Sequence, residues 1–149
     1  MNHIFISYVE EDSDLAKEIA DNLEAAGYST WYYERDTVPG VSYLSQITQA
    51  INQSQGVILV ISPDSVSSDQ VAKEVVSSFE RGKPLIPILH NMTHLDFQQY
   101  QPDWVHAIAG TASISLGTGG ISAALTRITV GLKALGIQTE ETQQTSVAI

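Results

Sequence analysis

Short apolar runs and amphipathic stretches alternate along the chain, and the period changes with each. His3-Ile-Phe-Ile-Ser7 is brief and apolar, as a strand requires. From Ser13 to Ala26, Leu15, Ile19 and Leu23 recur every fourth position beside small Ala16 and Ala20, so one helical face is lined. Acidic residues crowd the start of that helix, where its dipole favours them, and Gly27 stops it. Tyr28 to Tyr33 is β-prone by composition and leads into a polar loop, Glu34 to Gly40. Tyr43 to Gln53 sets Leu44, Ile47 and Ile51 on one helical face, and Gly56 to Ile61 is apolar throughout, as in a strand covered on both sides.

The next stretch, "SVSSDQVAKEVVSSFER" from Ser65 to Arg81, reads as a helix closed by Gly82 and Pro84. Glu74 falls beside Val71 and Val75, close to the side that should lean on a sheet. It is either a structural charge, an exposed helix-face Glu pairing with Lys73 or a neighbour, or a carboxylate facing a cleft. Leu85 to Leu89 is a fourth strand, irregular or little paired at Pro87. His90 to Asp103 reads as loop, with a short helix around Trp104 to Ala109. Ser113 to Leu116 is a fifth strand and Ile121 to Leu135 a last helix. Strands separated by helical segments predict a five-stranded parallel sheet with helices on both faces. One domain over residues 1–136 is expected, followed by a Thr/Gln/Glu-rich tail or truncated linker over 137–149.

Composition narrows the partners. A chain of 149 residues can bury roughly 70% of its unfolded surface in one core. Seven basic against seventeen acidic residues leave a formal charge of −10, with no Lys/Arg cluster to offset it on one face. Nucleic acid and anionic membrane are disfavoured as direct partners, because both demand positive charge. There is no cysteine, hence no disulfide frame and no thiolate metal site. No apolar segment approaches the roughly 20 residues of a membrane span, and a cytoplasmic location is the expectation.

In open parallel sheets, ligands bind beyond the carboxyl ends of the strands. The first three strands end at Ser7-Tyr8, Glu34-Arg35-Asp36 and Ser62-Pro63, and the helix carrying Glu74 begins soon after the third. A phosphoacceptor receiver domain shares this alternation but needs an Asp where Ser62 stands and a Lys where Leu116-Gly117 stands. Gly117-Thr-Gly-Gly120 matches neither phosphate-loop pattern and reads as a helix-entry turn. His90 and His94 read as surface histidines, and Glu10-Glu11-Asp12 as a solvated helix start, so no metal site is expected.

Taken together, the residues from about 2 to 135 resemble a TIR (Toll/interleukin-1 receptor) domain of the bacterial type. "HIFISYVEEDSDLAKEIADNLEAAGYSTWYYERDTVPG" is similar to the family's first strand, first helix, second strand and BB loop, which ends here in Pro39-Gly40. "AINQSQGVILVISPDSVSSDQVAKEVVSSFERGKPLIPIL" is similar to its third strand, Glu-bearing helix and fourth strand. The resemblance implies a flavodoxin-like three-layer fold. It also implies cleavage of NAD at the nicotinamide–ribose bond, with a linear or cyclic ADP-ribose product, in prokaryotic anti-phage signalling. The other activity it implies is non-catalytic assembly that carries a signal by protein–protein contact.

In catalytic members a Glu lies within a pattern like S-x-W-x-x-x-E. Here Ser68 and Glu74 match, and Gln70 stands in place of the tryptophan. Tyr33 is a second departure, where many relatives carry an Asp; Tyr33 or Trp31 is a candidate for the missing aromatic surface. By this resemblance Glu74 is the catalytic candidate and Ser68 and Gln70 are substrate-binding candidates; Ser7, Tyr8, Arg35 and Asp36, placed at the strand ends, are further substrate-binding candidates. NAD is implied as substrate, with no cofactor, and self-association through the 34–43 loop is implied, with a fused or separate sensor or effector domain as a further partner.

Overall fold

The computed structural model describes residues 3–100, 108, 111–117 and 120–140. Strands β1 (His3–Ser7), β2 (Thr30–Trp31), β3 (Ser54–Ile61), β4 (Leu85–Leu89) and β5 (Ile114–Ser115) form one sheet in the order β2-β1-β3-β4-β5, every pairing parallel. Helices α1 (Ser13–Ala25) and α6 (Gly120–Ala134) cover one face; α3 (Tyr43–Asn52), α4 (Asp69–Glu80) and α5 (His94–Tyr100) lie on the other. A single helical turn, α2 (Tyr33–Asp36), follows β2. This is a flavodoxin-like α/β fold.

The pleat sorts the core. Even positions Ile4, Ile6, Ile58, Val60 and Ile88 pack with Ile19, Leu23, Ile128 and Leu132 of α1 and α6. Odd positions Phe5, Val57, Leu59, Ile61 and Leu89 pack with Ile47, Ile51, Val71 and Val75 of α3 and α4. Alternation of side chains across a strand is the cause, and a continuous apolar run supplies both faces at once. Ser7 is an odd position and so lies on the α4 side.

Pro87 sits inside β4 without breaking it. His90 N–H donates to Ile61 O at 2.8 Å and Leu116 N–H to Leu89 O at 3.0 Å, so even positions of β4 bond toward β3 and odd ones toward β5. Position 87 therefore turns its missing N–H toward the β5 side, where pairing begins only at Ile88.

Three local expectations change. The β-prone run from Tyr28 to Tyr33 yields a strand of only Thr30–Trp31, because Asp36 accepts from Tyr32 N–H at 2.9 Å and draws the following residues into α2. The stretch from His90 to Asp103, read as loop, contains α5. Thr93 Oγ1 accepts from Asp96 N–H at 3.1 Å while Asp96 Oδ2 accepts from Thr93 N–H at 3.4 Å, a reciprocal cap that starts the helix. The long helix from Ser65 divides into a 3-10 turn, Ser65–Ser67, and α4. The short helix expected around Trp104 to Ala109 lies outside the described residues, Ile108 apart.

The packed unit runs past position 136. Ile137 is buried against the α1/α6 face, Gln138 exchanges two hydrogen bonds with the Gln55 amide at 2.9 and 3.0 Å, and Glu140 N–H donates to Gly27 O. Gly56 makes room for this return, since a Cβ there would stand 2.7 Å from Ile137 Cδ1. Residues 141–149 of the polar tail lie outside the described residues. Among the described residues no helix is long and apolar enough to cross a membrane.

Candidate functional site

The strand order reverses direction between β1 and β3, so α1 and α4 leave the sheet on opposite faces. Their departure opens a crevice at the carboxyl ends of those two strands. A cavity of about 580 Å³ occupies it, and Glu74 is among its lining residues.

Ser68 ends the 3-10 turn in extended backbone, and its Oγ accepts from Val71 N–H at 3.2 Å, which caps α4. From that cap, Val71, Glu74, Val75 and Ser78 fall on the buried face of the helix. Glu74 is only 6% exposed, so the reading of it as an exposed helix-face partner of Lys73 does not hold. Its Oε1 accepts from Ser7 Oγ at 2.8 Å and its Oε2 from Gln70 Nε2 at 3.0 Å, one turn earlier on the same helix. Burial pushes the Glu74 carboxyl above the usual range, and the hydrogen bonds from Gln70 and Ser7 oppose that rise. An ionised carboxylate has about four acceptor positions, so with two donors engaged it can still accept from a ligand.

Tyr8 and Tyr43 of the cavity stay protonated. Burial pushes Tyr8 and Tyr43 up to about 12, and for both the nearby Glu74 charge adds to the rise. Tyr8 Oη accepts from Glu34 N–H at 3.0 Å, tying the end of β1 to α2. Tyr33 and Tyr43 meet edge to face with centroids 5.0 Å apart. Carboxylates of Glu10, Glu11, Glu34 and Asp64 join Glu74 around the cavity, and no Lys or Arg lines it among the described residues.

Of the residues singled out in the sequence, Tyr8, Tyr33, Ser68, Gln70 and Glu74 line this cavity. Ser7 stands behind Glu74 and donates to it. Arg35 and Asp36 are placed elsewhere: Arg35 lies over the Tyr32 ring at 4.6 Å and pairs with Glu24 and Asp36, closing a cluster that roots α2 on β2. Trp31 stacks on Phe5 at 5.4 Å, packed against the core. Tyr43 was missed, since a tyrosine opening an amphipathic helix carries no signal beyond its hydrophobicity. Asp12 was read as solvated, yet it is buried and accepts from Ser62 Oγ, joining the turn after β1 to the end of β3. His94 Nδ1 meets Ser113 Oγ at 3.2 Å, and no group of three or more His, Cys, Asp or Glu among the described residues could hold a metal ion.

The sequence is 37% identical over 93 residues to the Stimulator of interferon genes protein of Magallana gigas, a match covering 58% of this chain and 22% of that protein. It is 27% identical over 117 residues to the 2′ cyclic ADP-D-ribose synthase AbTIR of Acinetobacter baumannii, covering 75% of this chain and 44% of that protein. The chain thus spans less than half the length of either relative. The crystal structure of the TIR domain of the Toll-related receptor TRR-2 from Hydra magnipapillata shares the fold with a TM-score of 0.68 at 23% identity, over 85% of this chain and 94% of that one. The TIR domain profile matches residues 4–126, and on that match this chain belongs to the TIR domain family.

Proposed function

We propose that this domain cleaves NAD at the nicotinamide–ribose bond, with Glu74 stabilising the ribose cation. The observation that carries the reading is a carboxylate 6% exposed at a cavity on the sheet's switch point, steadied by two donors. Similarity to a 2′ cyclic ADP-D-ribose synthase supports it. Cleavage of the C1′–N1 bond returns its electron pair to the pyridinium nitrogen, so nicotinamide leaves neutral and no general acid is required. The ribose is left as an oxocarbenium ion. A buried anion accepting from the ribose hydroxyls favours that developing charge, as carboxylates do in glycoside cleavage. Water then adds at C1′ and releases a proton, giving ADP-ribose; attack by a hydroxyl of the same molecule gives a cyclic product instead. Tyr8, Ser68 and Gln70 line the path of the substrate. We place the activity in anti-phage signalling, as the family resemblance implies.

The test is NAD consumption by concentrated protein, followed by chromatography of nicotinamide and the ADP-ribose product. Glu74→Gln keeps the side chain's size and should lower turnover by at least about 100-fold, as for loss of one dedicated electrostatic group. Wild-type protein that leaves NAD intact at every concentration overturns the reading.

A second role has its own observation. Val38, Val41 and Leu44 expose 56%, 53% and 61% of their surface on and beside the loop between α2 and α3. Exposed apolar residues held together on a stiffened loop are suited to self-association.

A further inference from the structure

At position 70 a glutamine amide is engaged by Glu74, so this site has no flat apolar surface there. A ring brought beside Glu74 must find one elsewhere. Trp31 is taken up by Phe5, and Tyr8 is turned against Tyr32 at 6.3 Å with its hydroxyl on Glu34. Among the described residues lining the cavity, Tyr43, the first residue of α3, and Tyr33, the first of α2, remain. Their edge-to-face contact, with planes 73° apart, fixes both rings in the cavity wall that also holds Glu74.

The charge around these rings selects what they can hold. Glu10, Glu11, Glu34 and Asp64 surround the cavity with negative potential, and no described Lys or Arg lining residue offsets it. Such a wall attracts a cation, as does the face of a tyrosine ring. Burial keeps Tyr43 an uncharged phenol near neutral pH, so it acts through its ring face.

We propose that Tyr43, backed by Tyr33, forms the subsite for the cationic nicotinamide ring, supplying the aromatic surface that position 70 lacks. The assignment rests on the NAD-cleaving reading above. The pyridinium carries its positive charge until the glycosidic bond breaks, and the departing nicotinamide is neutral. The attraction is therefore strongest in the ground state and is lost on cleavage, which favours release of the product ring. Tyr43 is then a substrate-binding residue whose loss shows in KM more than in kcat.

The probes are 1-methylnicotinamide, a permanent cation that cannot be cleaved, and neutral nicotinamide, each titrated by ligand-observed NMR. The cation should bind wild-type protein at least about 10-fold more tightly than nicotinamide, within the range of cation–π attraction in a desolvated site. Tyr43→Phe should keep that preference. Tyr43→Ala should erase most of it and raise KM for NAD about 10-fold, with kcat within about 3-fold, in line with loss of one stacking ring. If Tyr43→Ala fails to fold, Tyr33→Ala, at a position 46% exposed, carries the same expectation in weaker form. Equal binding of the two probes, or a preference untouched in a folded Tyr43→Ala variant, overturns the subsite. A clear preference in a wild-type protein that never consumes NAD supports the subsite and removes the enzymatic reading.

Discussion

Ser7 Oγ donates to Glu74 Oε1 at 2.8 Å across 67 positions of sequence, from the last residue of β1 to the middle of α4. The contact follows from two regularities. Alternation along β1 sends Phe5 and Ser7 to the α4 side, and the parallel register of β1 with β3 sets the end of β1 beneath the helix that follows β3. Ser7 thus donates to the carboxylate. It helps to hold a charge in a place where burial disfavours one.

Ser7→Ala should therefore change the pH dependence of NAD cleavage. In the proposed reaction the ionised form of Glu74 is the useful one, and burial already raises its pKa. Removing a donor to the anion raises it further, so the acidic limb of the rate profile moves to higher pH. At neutral pH turnover should fall about 10-fold, as for loss of one hydrogen bond to a charged group, and recover in part as pH rises. A loss equal at every pH would show that Ser7 acts on the substrate directly.

Stability carries the same titration with the opposite preference. The folded pKa of Glu74 lies above the unfolded value, so the folded state binds this proton more readily. The resulting stabilisation is full below the unfolded glutamate range and is lost as pH rises through the folded pKa. Glu74→Gln does not titrate. Urea unfolding should show wild-type protein losing stability relative to this variant across that window, then running parallel above it. His3, whose pKa burial lowers, is common to both proteins and cancels in the difference. A difference independent of pH would mean that the carboxyl is not buried in solution.

Ser68 matches the family pattern and caps α4, and the two roles can be separated. Ser68→Ala removes the acceptor for Val71 N–H and should cost about 1 kcal/mol of stability. Ser68→Asn restores a cap without the hydroxyl. If capping is the whole role, urea midpoint and NAD turnover return together in the Asn variant. Stability that returns without turnover would assign the hydroxyl to the substrate.

The fold was legible because its signals are redundant: runs such as Val57 to Ile61 and the four-residue spacing of Leu15, Ile19 and Leu23 leave little choice of element. The family pattern also marked Glu74. The polar contacts around it were less legible, because a sequence does not state what a side chain meets. Arg35 and Asp36 lie in α2 and not at the end of β2, and Glu24 and Tyr32 draw them away from the cavity. Asp12 looked solvated among acidic neighbours, and only the approach of β3 brings Ser62 to it. The cap from Thr93 to Asp96 was present in the sequence, but Gln and His around it weakened the helical period. Tyr43 needed the third dimension, since its ring contact with Tyr33 joins two separate elements.

The loop between α2 and α3 should couple assembly to turnover. Gln46 fastens it: the side-chain carbonyl accepts from Val38 N–H at 2.6 Å, and the amide donates to Val38 O at 3.0 Å and Val41 O at 3.1 Å. Pro39 stiffens the same turn, and Gly40 takes a φ of +86°, which L side chains rarely adopt. So held, Val38 and Val41 stay exposed, with nothing apolar among the described residues to cover them. A second copy could cover them, while a formal charge of −10 opposes the approach. Added salt screens that repulsion within about 10 Å at moderate ionic strength. Because α2 and α3 also carry Tyr33 and Tyr43, ordering the loop in a contact steadies the cavity wall. Specific activity should rise with protein concentration and rise further with moderate salt, in step with light scattering. Val38→Asp or Gly40→Arg should abolish both increases without lowering the activity of dilute protein, and Gln46→Ala should weaken them. Rates strictly proportional to concentration, from a monodisperse monomer and indifferent to these substitutions, would show that the loop has no part in activation.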